Sequence, residues 1–228
     1  MIRNVFLDLD DTIFDFHKAE AIALSQMLSC FGVTPTPDMT KRYSEINLAQ
    51  WKKLELGLTT RDEILTNRFT LFFREVGLNI DGREAREIYE HQLSLGHHFI
   101  DGAEELLEAL FGKYRLYLAS NGTLSVQTGR IASSGIEKYF DGIFISQAIG
   151  YDKPRREYFD ECFKIIPNFL REETVIIGDS LSSDIKGGRN AGIKTCLFNP
   201  KRLKNNTDIT PDFEVFSLYE IAELLSEM

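Results

Sequence analysis

The sequence predicts an α/β fold, a parallel sheet with helices on both faces, carrying an α-helical cap inserted after the first strand. Two observations predict the sheet and one predicts the cap. Five short runs rich in Val, Ile, Leu and aromatics recur along the chain, each reading as a strand buried on both faces. Between the later runs lie helical patterns, and strand alternating with helix indicates parallel pairing through crossovers. Between the first run and the second that rhythm breaks, because a long, purely helical signal stands where one crossover helix would do.

The first strand is "NVFLDL", from Asn4 to Leu9. The cap follows. "HKAEAIALSQMLSCFG" stops at Gly32, and Thr36-Pro37 supplies an N-cap with a first-turn proline. Thr60-x-x-Glu63 and Asp81-x-x-Glu84 have capping-box spacing, and Gly57, Gly77 and Gly96 punctuate the ends. These signals imply about four helices. The expected division is a cap over residues 16–97 and a catalytic core made of residues 1–15 and 98–228. Asp101-x-x-Glu104 is expected to open the helix that returns to the sheet, and "YRLYLAS" (Tyr114 to Ser120) is the second strand. A helix over Thr123 to Ser134, the strand "GIFIS" (Gly142 to Ser146), a helix over Arg155 to Ile166 and the strand "TVIIGDS" (Thr174 to Ser180) follow. A helix over Ser182 to Ala191, closed by Gly192, leads into "IKTCLF" (Ile193 to Phe198).

Composition bounds the function. The chain has 228 residues, 43% of them hydrophobic, with 17 Phe and 8 Tyr but only 6 Pro, which supplies a substantial core and argues against disorder. A formal charge of −9 repels polyanions, disfavouring nucleic acid polymers and anionic membranes as partners. A small phosphate ester remains compatible, because a local cation can outweigh the global field. Cys30, Cys162 and Cys196 show neither paired nor metal-type spacing, and the N-terminal apolar run is too short for a signal peptide. The expected localisation is cytoplasmic, as a monomer or homodimer.

In an open parallel sheet, ligands sit beyond the carboxyl ends of the strands. The first strand ends in three carboxylates within four positions, Asp8, Asp10 and Asp11, which repel one another unless a cation sits among them. The second ends in Ser120-Asn121-Gly122, the fourth in Gly178-Asp179-Ser180 with Asp184 five positions after Asp179, and Lys153-Pro154 follows the third. Alone, each has an ordinary reading: Asp-x-Asp as a turn or cap, Asn-Gly as a turn, Lys153 as a solvated lysine. Together they bring carboxylates, a hydroxyl, an amide and an ammonium to one rim of one sheet. Mg²⁺ prefers oxygen ligands, so Asp8, the backbone carbonyl of Asp10 and Asp179 are its expected holders, with Asp184 acting through water. Lys153 and the metal would neutralise a phosphate and the carboxylate facing it. Asp8 is then the nucleophile, Ser120 and the Asn121 N–H hold phosphate oxygens, and Asp10 is the general acid and base.

At these residues the chain resembles the haloacid dehalogenase superfamily, whose four motifs look like Asp8-Leu9-Asp10-Asp11-Thr12, Ser120-Asn121-Gly122, Lys153-Pro154 and Gly178-Asp179-Ser180-x-x-x-Asp184. The resemblance implies a Rossmann-like core with a helical cap. Because the dehalogenases lack a carboxylate at the Asp10 position, it also implies a phosphatase. Asp11 stands where Gly is frequent, and is expected to matter little. The cap stretch Glu45 to Phe69, with "DLDDTIFDF" and "SNGT", is similar to the cytosolic pyrimidine 5′-nucleotidase branch. That implies nucleoside monophosphates as substrates, with Trp51 as a possible contact to the base. Two alternatives stand beside it: a sugar-phosphate phosphatase or phosphomutase on the same machinery, and a non-catalytic regulatory protein that binds a phosphate ligand.

Overall fold

The computed structural model describes residues 1–228. Six parallel strands form one sheet: β1 (Asn4–Leu7), β2 (Arg115–Ser120), β3 (Gly142–Ile145), β4 (Thr174–Gly178), β5 (Lys194–Phe198) and β6 (Phe213–Val215), in the order β3-β2-β1-β4-β5-β6. The chain runs outward from β1 to β3, then returns to β4 and runs outward the other way. The topological switch therefore falls at β1, where open α/β sheets bind their ligands.

Alternate strand residues feed opposite faces. Val5, Leu7, Leu116, Leu118, Val175 and Ile177 enter one core, with the helices α5 (Ala103–Leu110) and α10 (Ile221–Glu227). Phe6, Tyr117, Ala119 and Ile176 enter the other, against α8 (Arg156–Ile165) and the end of α9 (Lys186–Ala191). α6 (Leu124–Ser134) and the short α7 (Ser146–Ile149) follow β2 and β3. Helices thus cover both faces, as expected for strands apolar on both sides. "KGGR" is a packing feature, since a Cβ on Gly188 would stand 2.6 Å from side-chain carbons of Ile176 and Thr195.

The cap consists of α1 (Phe16–Cys30), α2 (Pro37–Glu55), α3 (Arg61–Glu75) and α4 (Gly82–Ser94), closed around its own core of Tyr43, Phe69, Phe72, Phe73 and Tyr89. Asp15, Thr36, Thr60 and Asp81 cap the four N-termini through their side chains, and Thr60 and Glu63 form a complete capping box. No helix is long and apolar enough to cross a membrane.

Three local expectations are corrected. The helix returning to the sheet is preceded by Gly102 at φ 83° with no side-chain cap, so Asp101 does not open it. The helix expected over Ser182 to Ala191 begins as a π-helical turn, Leu181–Ile185, before α9. Asp11 is not inconsequential: its φ is 58°, in the left-handed region that favours glycine. Its carboxylate accepts from the Phe16 N–H at 3.0 Å, tying the turn after β1 to the start of the cap. The sequence does not show β6 and α10, because a three-residue strand and two turns of helix are too short for periodicity to register.

Candidate active site

β1 lies between β2 and β4, with Leu7 level with Leu118 on one side and Ile177 on the other. Asp8 is the first residue beyond β1, and its N–H still donates to the Ile177 carbonyl at 2.9 Å. Ser120 ends β2 and Asp179 follows β4. Three neighbouring strand ends therefore deliver a carboxylate, a hydroxyl and a second carboxylate to one rim.

Lys153 binds this rim together. It is 1% exposed, and its Nζ donates to Asp8 Oδ1 at 2.6 Å, Asp184 Oδ1 at 2.6 Å and the Ala119 carbonyl at 2.5 Å. All three ammonium donors are used, so the side chain has one permitted place. The Asn121 side chain fixes the backbone beneath it, its amide donating to the Lys153 carbonyl and accepting from the Lys153 N–H, both at 2.8 Å. Asp184 uses its other oxygen to accept from the Ser180 N–H at 3.1 Å. This packing requires Gly178, where a Cβ would lie 2.3 Å from Asp184 Oδ2.

Oxygens of Asp8, Asp179 and Asp184 lie within 4.8 Å of one another. Burial pushes the Asp8 carboxyl up to about 8, with Asp184 and Asp10 adding to the rise and Lys153 opposing it. Asp179 is also raised well above the usual carboxylate range, by its protein surroundings and then by the charges of Asp8 and Asp184, although its surface opens onto the cavity. Burial works against the Lys153 charge, yet Asp184 and Asp8 outweigh it and raise the lysine. Three carboxylates thus face one ammonium. An all-oxygen set short of positive charge fits a hard divalent cation, and Asp8, Asp179 and Asp184 could hold one.

Asp10 lines the same cavity under different control. Gln127 Nε2 donates to its Oδ2 at 2.6 Å and to Ser120 Oγ at 2.9 Å, while Arg130 pairs with its Oδ1. Arg130 is wholly buried and also donates from Nε to the Gly96 carbonyl at 2.7 Å, in the segment leading back from the cap. A Cβ on Gly122 would stand 2.2 Å from Gln127 Nε2, so this glycine makes room for the amide. Sequence reasoning missed Gln127 and Arg130. Their signal was two long polar residues three apart on the inner face of a helix directly after Ser120-Asn121-Gly122, a spacing that one helical turn brings together.

The cap completes the cavity, which measures about 390 Å³, within the range of small-molecule pockets. Arg61, the first residue of α3, crosses to the core and donates to the carbonyls of Asn121 at 2.9 Å and Gly122 at 3.1 Å and to Ser146 Oγ at 2.7 Å, and it pairs with Asp152. Burial lowers its basicity against the pull of Asp152. On the other side Ser182 Oγ donates to Glu55, the last residue of α2, at 3.0 Å. Trp51 lines the cavity with the Arg61 guanidinium 5.3 Å from its ring centroid. The eight residues singled out from sequence, Asp8, Asp10, Trp51, Ser120, Asn121, Lys153, Asp179 and Asp184, all line this one cavity.

Residues 5–198 match the profile of the haloacid dehalogenase-like hydrolases. The chain belongs to this family. YfnB of Bacillus subtilis, named only as a HAD-hydrolase, is 40% identical over 98% of this chain and 95% of its own length. A crystal structure of YfnB, bound to magnesium and described as revealing interdomain movement, superposes with a TM-score of 0.94 over 98% of both chains. The pyrimidine 5′-nucleotidase PynA of Streptococcus pneumoniae is 38% identical over 99% of this chain and 95% of its own, and the pyrimidine 5′-nucleotidase YjjG of Escherichia coli is 29% identical over 97% and 96%. Within the family, the six-stranded parallel sheet carries the strand-end acids and the α1–α4 cap roofs them.

Proposed function

We propose that this HAD hydrolase is a Mg²⁺-dependent phosphomonoesterase that acts through an aspartyl-phosphate on Asp8, with pyrimidine nucleoside 5′-monophosphates as its substrates. The carrying observation is Lys153, which clamps Oδ1 of Asp8 and leaves Oδ2 free to meet phosphorus. A divalent cation held by Asp8, Asp179, Asp184 and the Asp10 carbonyl would supply the charge that lets an anionic phosphate approach an anionic carboxylate. Ser120 and the Asn121 N–H hold phosphate oxygens, and Arg61 steadies the Asn121 and Gly122 peptides from the cap.

Asp8 forms the new P–O bond as the ester P–O bond breaks, and the departing oxygen takes its proton from Asp10. In this structure Asp10 is held by Arg130 and Gln127 as an acceptor, so acid catalysis requires its carboxyl to exchange Arg130 for the leaving oxygen. Water then attacks phosphorus, passes a proton to Asp10, and releases inorganic phosphate with Asp8 restored. The similarity to PynA and YjjG supports the substrate class, and the ribose 5′-oxygen of a nucleotide, a poor leaving group as an alkoxide, needs the proton that Asp10 would deliver to depart as an alcohol.

Rapid-quench kinetics of Asp10→Asn test this reading. Nitrophenolate departs nearly unaided, so p-nitrophenyl phosphate should yield a stoichiometric burst followed by slow turnover, whereas uridine monophosphate should yield almost none. General acid help is worth about 10² to 10⁴ in rate, which sets the expected gap between the two. Equal loss of the first step with both substrates would remove Asp10 from acid catalysis, and unchanged phosphate release in excess EDTA would defeat the metal-dependent scheme.

A further inference from the structure

The roof of the cavity carries polar groups that the chemistry at the strand ends does not use. Glu20 on α1, Asn47 on α2 and Arg68 on α3 are each buried, at 2%, 2% and 3% exposure, and all three line the cavity. They form a chain: Asn47 Nδ2 donates to Glu20 Oε1 at 2.7 Å, and Arg68 Nη1 donates to Asn47 Oδ1 at 3.0 Å. Arg68 Nε is taken by the Leu65 carbonyl at 3.2 Å, but Nη2 makes no hydrogen bond and stands 3.6 Å from Glu90, whose oxygen already accepts from Arg86.

A buried network serving stability alone would use its donors, since an unmade hydrogen bond to a buried charge is costly. Here a guanidinium with spare N–H groups and a carboxylate attended by Asn47 and Ser44 are kept together on a cavity wall. Arg68 stands between Glu20 and Glu90, so the wall has no positive charge to spare: it suits an uncharged polar group and does not suit a second phosphate. Acceptor and donor side by side fit a ligand edge on which an N–H adjoins a carbonyl.

We propose that Glu20, Asn47 and Arg68 form the base-reading subsite, with Glu20 accepting the N3–H and Arg68 donating to a ring carbonyl of a uracil-type base. This rests on the nucleotide reading above and adds residues and a preference to it. Cytosine has a lone pair at N3, which would face the Glu20 carboxylate unfavourably. The subsite therefore selects the lactam ring by a mismatch against its competitor as well as by contacts to the right one. Sites built to hydrogen-bond a substrate group reject the analogue lacking it strongly, because their own polar groups are left unpaired.

The test uses the full chain with Mg²⁺ and four substrates: uridine, 3-methyluridine and cytidine 5′-monophosphates, and glucose 6-phosphate. For the wild type, methylation of N3 should lower kcat/KM by about tenfold or more, the scale of one lost hydrogen bond to a charged group, and chiefly through KM. Glu20→Gln can offer an N–H to the cytosine N3, so it should reduce the uridine-to-cytidine ratio by a similar factor, and that ratio is one that a general loss of activity would not move. The methylated substrate needs no variant, so the question stays decidable even if Glu20→Gln fails to fold. If uridine monophosphate is preferred to glucose 6-phosphate, yet N3 methylation and Glu20→Gln both leave specificity unmoved, this subsite is overturned and the nucleotidase reading stands. If uridine monophosphate is not preferred to glucose 6-phosphate, the nucleotidase reading falls and takes the subsite with it.

Discussion

Replacing Lys153 with Met removes the one cation among three carboxylates while keeping a side chain of similar length. In the folded protein the ammonium satisfies Asp8, Asp184 and the Ala119 carbonyl at 2.6, 2.6 and 2.5 Å, and it is 1% exposed. Removing one partner of a buried ion pair costs about 3–5 kcal/mol, because the other charge stays behind uncompensated. For a chain of this size 1 kcal/mol corresponds to about 2–4 °C in Tm, so metal-free Lys153→Met should melt about 6–20 °C below the wild type near pH 8. Mg²⁺ then becomes the main counter-charge. A ligand at a hundred times its Kd stabilises by about 2.7 kcal/mol, and without Lys153 repelling it the cation should bind the variant more tightly than the wild type. The assay is thermal unfolding of both proteins in EDTA and across a Mg²⁺ series, beside phosphate release, which the variant should lack. A metal-free Tm within about 2 °C of wild type, or a smaller Mg²⁺-induced shift in the variant, would refute the reasoning that these carboxylates are held together by charge compensation.

Two further perturbations separate the electrostatics of the site from the seating of the cap. The folded pKa of Asp8, at about 8, exceeds its ordinary value of 3.8, so between these pH values the native state holds a proton that the unfolded chain releases, and metal-free stability falls as pH rises. Unfolding in EDTA should therefore show a weaker decline over this range in Asp8→Asn than in the wild type, and identical slopes would mean that Asp8 is ionised throughout. Arg61→Ala deletes the donor to two carbonyls, Ser146 and Asp152, and should lower kcat/KM on nucleotides and p-nitrophenyl phosphate alike by about 10- to 100-fold, the scale of one or two charge-assisted hydrogen bonds. Unchanged kinetics on both would show that the cap seats without it.

The strand-end acids were legible in the sequence because they depend on local order. Five apolar runs, the capping signals of the inserted helices and the polar residues closing each strand are written within a few residues of one another, and the rule that ligands gather beyond the carboxyl ends brings Asp8, Ser120, Lys153 and Asp179 to one rim. Partner choice was not legible. That Lys153 bridges Asp8 and Asp184, and that Asn121 pins the backbone beneath it, follows from strands and loops meeting across more than thirty residues of chain. Arg130 reads locally as one more charged residue on a helix, and only the packing of α6 against the segment returning from the cap makes it the buried counter-ion of Asp10. Glu20, Asn47 and Arg68 lie on three different helices, each looking like an ordinary polar position along its own helix. The sequence by itself determined which chemical groups the chain carries to its strand ends, because side-chain period and caps are properties of short segments. The tertiary structure alone decided which of those groups are deprived of water and which charges they meet there, because burial and Coulomb interaction depend on distance in space and not along the chain.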